Sequence, residues 1–284
     1  MTAVDCCRSE MDDLNEKLRL ATPDPRAALV VAHPGHELVV HGWLEVARPQ
    51  VFILTDGSGR SGQSRLDSTT RVLNQTGAKP GSIYGRLTDP AGYSAILNHE
   101  FNLFIGLAEE LTEALVSERI DYVAGDAMEG YNPMHDVCRL VINAAVTVAR
   151  RSRGLRVANF EFPVIGQRDA CTDTLHAGEV RLQLDEDAFA RKLAAAKGYT
   201  EVAGEVLAAL GRRSVDAFRV ECLHLADNNG GRRPCDDEPI FYEHYGEKQV
   251  AAGHYQRVLR YDEHIAPLAE ALRRYAEAAS NSIA

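Results

Sequence analysis

Ala28-Leu29-Val30-Val31-Ala32-His33-Pro34-Gly35-His36-Glu37 is the stretch that decides the architecture. Its apolar first half reads as a buried strand. At the point where that strand gives way to a helix stand two imidazoles, three residues apart, which can face one volume. Neutral imidazole is the commonest side-chain metal ligand. A third histidine has the same setting in Asn132-Pro133-Met134-His135, with an apolar strand before it and an apolar-periodic helix after it. Two such strand ends brought to one edge of a parallel sheet would gather three histidines.

Outward from this stretch the pattern alternates between strand and helix. A helix is expected over 37–46 and a second strand over 51–55, followed by the glycine-rich loop 56–62. A helix over 65–76 and a short strand over 82–86 come next. A long helical pattern then runs over 93–118, with a break near Asn98. Strands are expected over 121–125 and within 155–164, with a helix over 133–150 between them. Asn132 suits its N-cap and Pro133 its first helical position. Alternation of this kind argues for βαβ units, hence an α/β fold: a Rossmann-like, mostly parallel sheet with flanking helices. After Gly166 the rhythm changes. An alternating strand over 176–184, a helix over 188–210, an extended piece over 218–225, a loop over 228–234 and a helical tract over 242–272 form a mixed, helical C-terminal extension. The expected division is a polar, helical extension over 1–25, the metal-binding core over 26–170, and a segment over 171–284 that completes the core or caps the site.

The 284 residues, 45% hydrophobic, suffice for one large domain or a domain with an appendage. A formal net charge of -10, with no Lys/Arg block, argues against nucleic acid as a partner. No apolar run reaches the roughly 20 residues of a membrane span. The N-terminus does not read as a secretory signal, so the expected compartment is the cytoplasm. The cysteines, Cys6, Cys7, Cys138, Cys171, Cys222 and Cys235, include no Cys-x-x-Cys pair. They are expected to be free thiols in a reducing compartment, with Cys138 a small core residue.

Ligands of open parallel sheets bind beyond the carboxyl ends of the strands. His33, His36, Asp56, Asp89, Asp126 and His135 all fall there. The other histidines, His41, His99, His176, His224, His254 and His264, read as surface or satisfied core residues. Ala32-His33-Pro34-Gly35-His36-Glu37 and Asn132-Pro133-Met134-His135 resemble the two motifs of the PIG-L/LmbE-like zinc-dependent N-deacetylases, Ala-His-Pro-Asp-Asp-Glu and His-Pro-Asp-His. Arg65-Leu66-Asp67-Ser68, Gln75-Thr76-Gly77, Leu87-Thr88-Asp89 and the late Asp216-Ala217-Phe218-Arg219 fit the same pattern. The resemblance covers about residues 28–165.

Carried over residue by residue, the resemblance makes His33, His36 and His135 the metal ligands, with imidazole replacing the family's carboxylate at position 36. Three imidazoles suit zinc, with a position left for water, and also suit Fe, Co or Ni. Arg65 and Asp89 match positions that contact polar groups of the substrate, and the loop after Asp56 offers backbone N–H groups to an anion. The departures fall on the catalytic residues. The family's general base is Gly35 here, the His that assists the tetrahedral intermediate is Asn132, and the Asp beside the last ligand is Met134. Asn132 can still donate to an oxyanion. Tyr131 sits one residue from a family Tyr that polarises the carbonyl. Glu37, Asp126, Glu129 and Asp136 are candidates for the missing base. The acid- and phenol-rich segment 238–247 reads either as a helix start with a solvated face or as a flap over the metal.

The expectation that follows is a metal-dependent hydrolase of a C–N (N-acyl) bond in a small polar or sugar-like metabolite, working on a small-molecule substrate, with room for an oligomer. A non-hydrolytic three-histidine metalloenzyme and a non-catalytic small-molecule-binding protein are the alternatives.

Overall fold

β1 (Ala27–Val31) is buried along its whole length. It is flanked by parallel partners on both edges, β2 (Gln50–Thr55) and β4 (Tyr122–Asp126). A strand covered on both faces must be apolar throughout. Ala28, Val30 and Ala32 join one hydrophobic cluster, and Ala27, Leu29 and Val31 join another on the opposite face. The computed structural model describes residues 24–59, 61–165, 179–204, 214–226 and 240–281. Residues 1–23 of the expected helical extension, the loop over 228–234, His176 and four of the cysteines (Cys6, Cys7, Cys171, Cys235) lie outside them.

β3 (Lys79–Leu87), β5 (Ala158–Phe162), β6 (Val180–Gln183) and β7 (Val220–Leu225) complete a seven-stranded sheet of order β3-β2-β1-β4-β5-β7-β6. The pairings from β3 through β5 are parallel, and β7 runs antiparallel to both β5 and β6. From β1 the chain moves outward to β3. It then returns through α3 (Asp89–Leu97) and α4 (Phe101–Ser117) to lay β4 on the other side of β1. This reversal opens a crevice at the carboxyl ends of β1 and β4, the switch point where ligands of such sheets bind.

One face of the sheet is covered by α4, α5 (Pro133–Arg153) and α8 (Ala266–Asn281), through residues such as Phe104, Leu111, Val141 and Leu268. The other face is covered by α1 (His41–Ala47) and α2 (Leu66–Thr76), through Trp43, Leu44, Val72 and Leu73. α6 (Glu186–Gly198) lies against α1. A fully buried ion pair, Lys192 Nζ to Glu221 Oε1 at 2.7 Å, ties α6 to β7. The same carboxylate accepts from the amides of Gly42 (2.9 Å) and Trp43 (2.8 Å), which fixes the start of α1.

Several expectations change in detail. The helix expected over 37–46 divides into a 3-10 turn, His36–Val40, and α1. The strand expected over 82–86 is longer, and its pairing with β2 shifts register twice. Pro80 fits because β3 is an edge strand, where a missing N–H breaks no ladder bond. The pattern over 93–118 is two helices, since Thr88 caps an earlier start and the chain breaks at His99, whose φ is +58°. Of the helix expected over 188–210, residues 205–210 lie outside the described residues; the described part is α6, which stops at Gly198 and is followed by a 3-10 turn, Thr200–Val202. The helical tract over 242–272 is interrupted. α7 (Phe241–Ala251) ends before Gly253, at φ +75°, and a π-helical turn, Tyr261–Ile265, leads into α8. Cys222 is disulfide-bonded, against the expectation of free thiols, whereas Cys138 is a free thiol in the core as expected. No helix among the described residues is long and apolar enough to cross a membrane.

Candidate functional site

The crevice at the ends of β1 and β4 is built by two short turns. After β1, Gly35 adopts φ +105°, a conformation that costs a side chain dearly and glycine nothing. That turn sets His33 and His36 on the same side. After β4, Asn132 caps α5: its Oδ1 accepts from the Met134 amide at 2.9 Å, and Pro133 fills the first helical position. His135 therefore sits in the first turn of α5, next to the other two rings. The ring centres are 5.4 Å apart for His33–His36, 5.4 Å for His33–His135 and 4.5 Å for His36–His135.

Two of the imidazoles are backed by carboxylates. Asp89, at the start of α3, accepts from His33 Nδ1 at 3.1 Å, and the Thr55 hydroxyl lies 2.8 Å from the same nitrogen. Asp126, at the end of β4, accepts from His36 Nδ1 at 2.9 Å and from the Ala32 amide at 2.8 Å. A proton held on Nδ1 by a carboxylate leaves the lone pair on Nε2, the arrangement in which histidine presents itself to a metal. His33 Nε2 and His135 Nδ1 are buried without any hydrogen-bond partner.

The electrostatics divide the three rings. Burial lowers the basicity of His36, but contact with Asp126 outweighs it and raises that ring above its ordinary range. Burial, and then the neighbouring His36 and His33, hold His135 well below the ordinary value, so it is neutral at pH 7. Burial would push the Asp89 carboxyl up, but the hydrogen bond and charge of His33 reverse this and hold it well below the usual carboxylate range.

Arg139, buried one turn along α5 from His135, braces the floor. It donates to the carbonyl of Asp126 at 2.6 Å, to Asn159 Oδ1 at 3.0 Å and to the carbonyl of Phe160 at 3.1 Å. Asp136 Oδ1 accepts from the amides of Glu129 and Gly130, both at 3.1 Å. Burial pushes the Asp136 carboxyl up to about 7.

The sequence-expected residues sort as follows. His33, His36 and His135 come together. Asp126 and Asp89, expected as a base candidate and a substrate contact, stand behind the histidines. Asp56 Oδ1 accepts from the amides of Ser58 (3.0 Å) and Asp89 (3.3 Å), which shapes the glycine loop. Arg65 packs beside that loop: a Cβ at Gly57 would meet Pro34 at 2.9 Å and Arg65 at 3.0 Å. Glu37 points away from the crevice, accepting from the Gly35 amide at 2.7 Å and from the Thr69 hydroxyl at 2.8 Å. Burial raises its carboxyl above the usual range. Glu129 accepts from the amides of Val164 (2.8 Å) and Ile165 (3.1 Å), tying the site to the end of β5. Asn132 Oδ1 also accepts from the Tyr93 hydroxyl at 2.9 Å, so its amide nitrogen remains for a ligand. Tyr131 stacks on Phe241. Of the segment 238–247, the described part does lie against the 129–131 loop, with the Tyr242 amide 3.4 Å from the Gly130 carbonyl. Its carboxylates face other partners: Glu243 accepts from the Tyr261 amide at 2.8 Å and Glu247 from Arg260 at 2.7 Å.

Thr55 and Tyr93 escaped the sequence reading. Thr55 is a polar residue ending an apolar strand, and Tyr93 lies one helical turn beyond Asp89. Both positions carry a signal once Asp89 is placed beside His33. His41, expected on the surface or satisfied in the core, is buried with Nδ1 unpartnered.

The donor set fits a divalent cation of borderline softness. Zn–N bonds of about 2.0–2.1 Å at tetrahedral angles put imidazole centres about 5 Å apart, close to the separations above. The rings converge without being closed on a point: among the described residues, no group of three or more His, Cys, Asp or Glu side chains already has the geometry of a metal-holding cluster.

No family model and no curated protein matches the chain. Solved structures that resemble it include the A40926 pseudoaglycone deacetylase Dbv21, at 19% identity and a TM-score of 0.44, over 63% of this chain and 84% of that one. The zinc-inhibited form of the teicoplanin deacetylase Orf2 has 12% identity and a TM-score of 0.44, over 62% of this chain and 84% of that one. Likeness at this level concerns the path of the chain alone.

Proposed function

We propose that the protein is a metal-dependent hydrolase of an N-acyl C–N bond in a small polar or sugar-like substrate, with His33, His36 and His135 as ligands of zinc or a similar divalent ion. The observation that carries this reading is the convergence of three imidazoles, two of them backed by carboxylates, on a buried crevice where two ring nitrogens have no partner. When bound, a divalent ion on three neutral imidazoles would keep its full charge, polarise an acyl carbonyl and make a water more acidic. Gly35 stands where the resembling family has its base, and Glu37, Asp89 and Asp126 are engaged elsewhere; of the base candidates, Asp136 keeps a buried Oδ2 without a hydrogen-bond partner.

Asp89 and Asp126 hold their imidazoles in one tautomer and orientation. Asn132, held through Oδ1 by its cap bond and by Tyr93, would offer its amide N–H to an oxyanion. Arg139 and Asp136 hold the loop after β4 so that Asn132 and His135 keep their spacing. Tyr131 stands at the mouth beside Asn132.

The test is amine release from a panel of N-acetylated amino sugars by zinc-loaded protein, with His33→Ala as control. Release by wild type and its loss in the variant support the reading. A protein that binds zinc yet releases no amine favours the non-hydrolytic alternative. A protein that takes up neither zinc, iron nor cobalt overturns both.

A further inference from the structure

Aromatic side chains gather on the rim of the crevice beside Asn132. Tyr131 and Phe241 stack with ring centres 4.5 Å apart and planes 11° apart. Phe241 and Tyr245 continue the stack at 6.0 Å and 16°, and Tyr255 meets Tyr245 edge-on at 6.5 Å. Tyr93 donates its hydroxyl to Asn132 Oδ1 at 2.9 Å, next in sequence to Tyr131. The ladder begins at Tyr131, next to the Asn132 cap, and runs along the first turn of α7.

This rim is also where apolar surface is left uncovered. Phe241 is 48% exposed, Tyr255 41% and Ile165 36%. Ile165 is tied to the loop before Tyr131, since its amide donates to Glu129. Exposed large apolar residues beside a polar crevice mark a binding surface more often than chance. Along α7 the carboxylates of Glu243 and Glu247 face Arg260, at 3.4 and 2.7 Å. A carbohydrate ring set on an aromatic face needs polar partners for its hydroxyls, and the α7 carboxylates Glu243 and Glu247 are engaged with Arg260. An aromatic ring needs only an offset or edge-on neighbour.

We propose that the Tyr131–Phe241 stack is a second anchor for the substrate, which receives an aromatic ring carried beyond the N-acyl group. The inference rests on the hydrolytic reading for where the N-acyl group lies. The rings are already held by one another, so little side-chain freedom is lost when a ligand ring joins them.

The test is the affinity of the zinc-loaded full chain, by calorimetry, for 4-nitrophenyl 2-acetamido-2-deoxy-β-D-glucopyranoside, for its methyl counterpart and for N,N′-diacetylchitobiose. The aryl glycoside should bind about tenfold tighter than the other two. Phe241→Ala should bring the aryl and methyl glycosides within about twofold, leave the methyl glycoside unchanged, and be rescued by Phe241→Trp. Equal affinity for aryl and methyl glycosides, no aryl binding, or a preference that survives Phe241→Ala overturns the proposal. Chitobiose binding as tightly as the aryl glycoside makes the stack a sugar platform and overturns it too. Amine release is scored separately. An aryl preference without hydrolysis leaves the anchor standing and sinks the hydrolytic reading, and hydrolysis without the preference does the reverse.

Discussion

Replacing Asp126 by Asn perturbs the site at one atom. The carboxylate accepts from His36 Nδ1 through both oxygens, at 2.9 and 3.0 Å, and from the Ala32 amide through Oδ2 at 2.8 Å. Asparagine has one acceptor oxygen; set at the Oδ2 position it keeps the Ala32 bond, and an NH2 group then replaces Oδ1 at 2.9 Å from His36 Nδ1–H, donor against donor. The Ala32 amide is fixed by β1, so the imidazole is the partner that gives way. It then loses the acceptor that holds its proton on Nδ1, and the lone pair is no longer fixed on Nε2. A lost hydrogen bond to a charged group costs about 1.5–3 kcal/mol, and loss of a carboxylate behind a ligating histidine typically costs about 10–100-fold in metal affinity. The zinc affinity of Asp126→Asn should therefore fall by about 10–100-fold in a competition titration against a chelator of known affinity. The fold should survive, and urea unfolding of the metal-free protein should show about 2 kcal/mol of lost stability. Zinc affinity within about threefold of wild type, in a variant that is folded, would refute the tautomer argument.

Glu221→Gln removes the carboxylate partner of buried Lys192. It should cost about 3–5 kcal/mol in urea unfolding, much of it recovered in the double variant with Lys192→Met. Gly35→Asp, which restores the residue of the resembling family, must place a side chain at φ +105°. A cost of about 1–2 kcal/mol should appear as a lower melting temperature with zinc binding retained. His41 is held below its ordinary basicity, first by burial. The unfolded chain thus binds the extra proton, and stability is full above the unfolded value of about 6.5 and lost as pH falls below it. Melting temperature should drop on acidification from pH 7 to 5, and His41→Gln should flatten that slope.

The parallel half of the fold was legible because burial leaves a direct trace: a strand covered on both faces, such as Val30-Val31 within β1, can only be apolar. The cap Asn132-Pro133 was legible because a helix start has few chemical solutions. What the sequence hid is orientation. Asp89, Asp126 and Glu37 all occupy strand-end positions suited to catalysis, yet hydrogen bonds across dozens of residues turn two of them onto histidines and the third onto Thr69. The aromatic ladder was equally hidden, since Tyr131 and Phe241 are brought together only by the packing of α7 on the 129–131 loop. The interruption of the C-terminal helical pattern rests on backbone geometry around Gly253, which periodicity of side chains does not report.

The central claim is that His33, His36 and His135 hold one divalent ion. Diffraction from crystals of the full chain grown with zinc, recorded at the zinc absorption edge, tests it directly. A single strong anomalous peak about 2.0–2.1 Å from one nitrogen of each of the three rings is the expected result. Zinc bound elsewhere, or no peak among these histidines at saturating zinc, would contradict it.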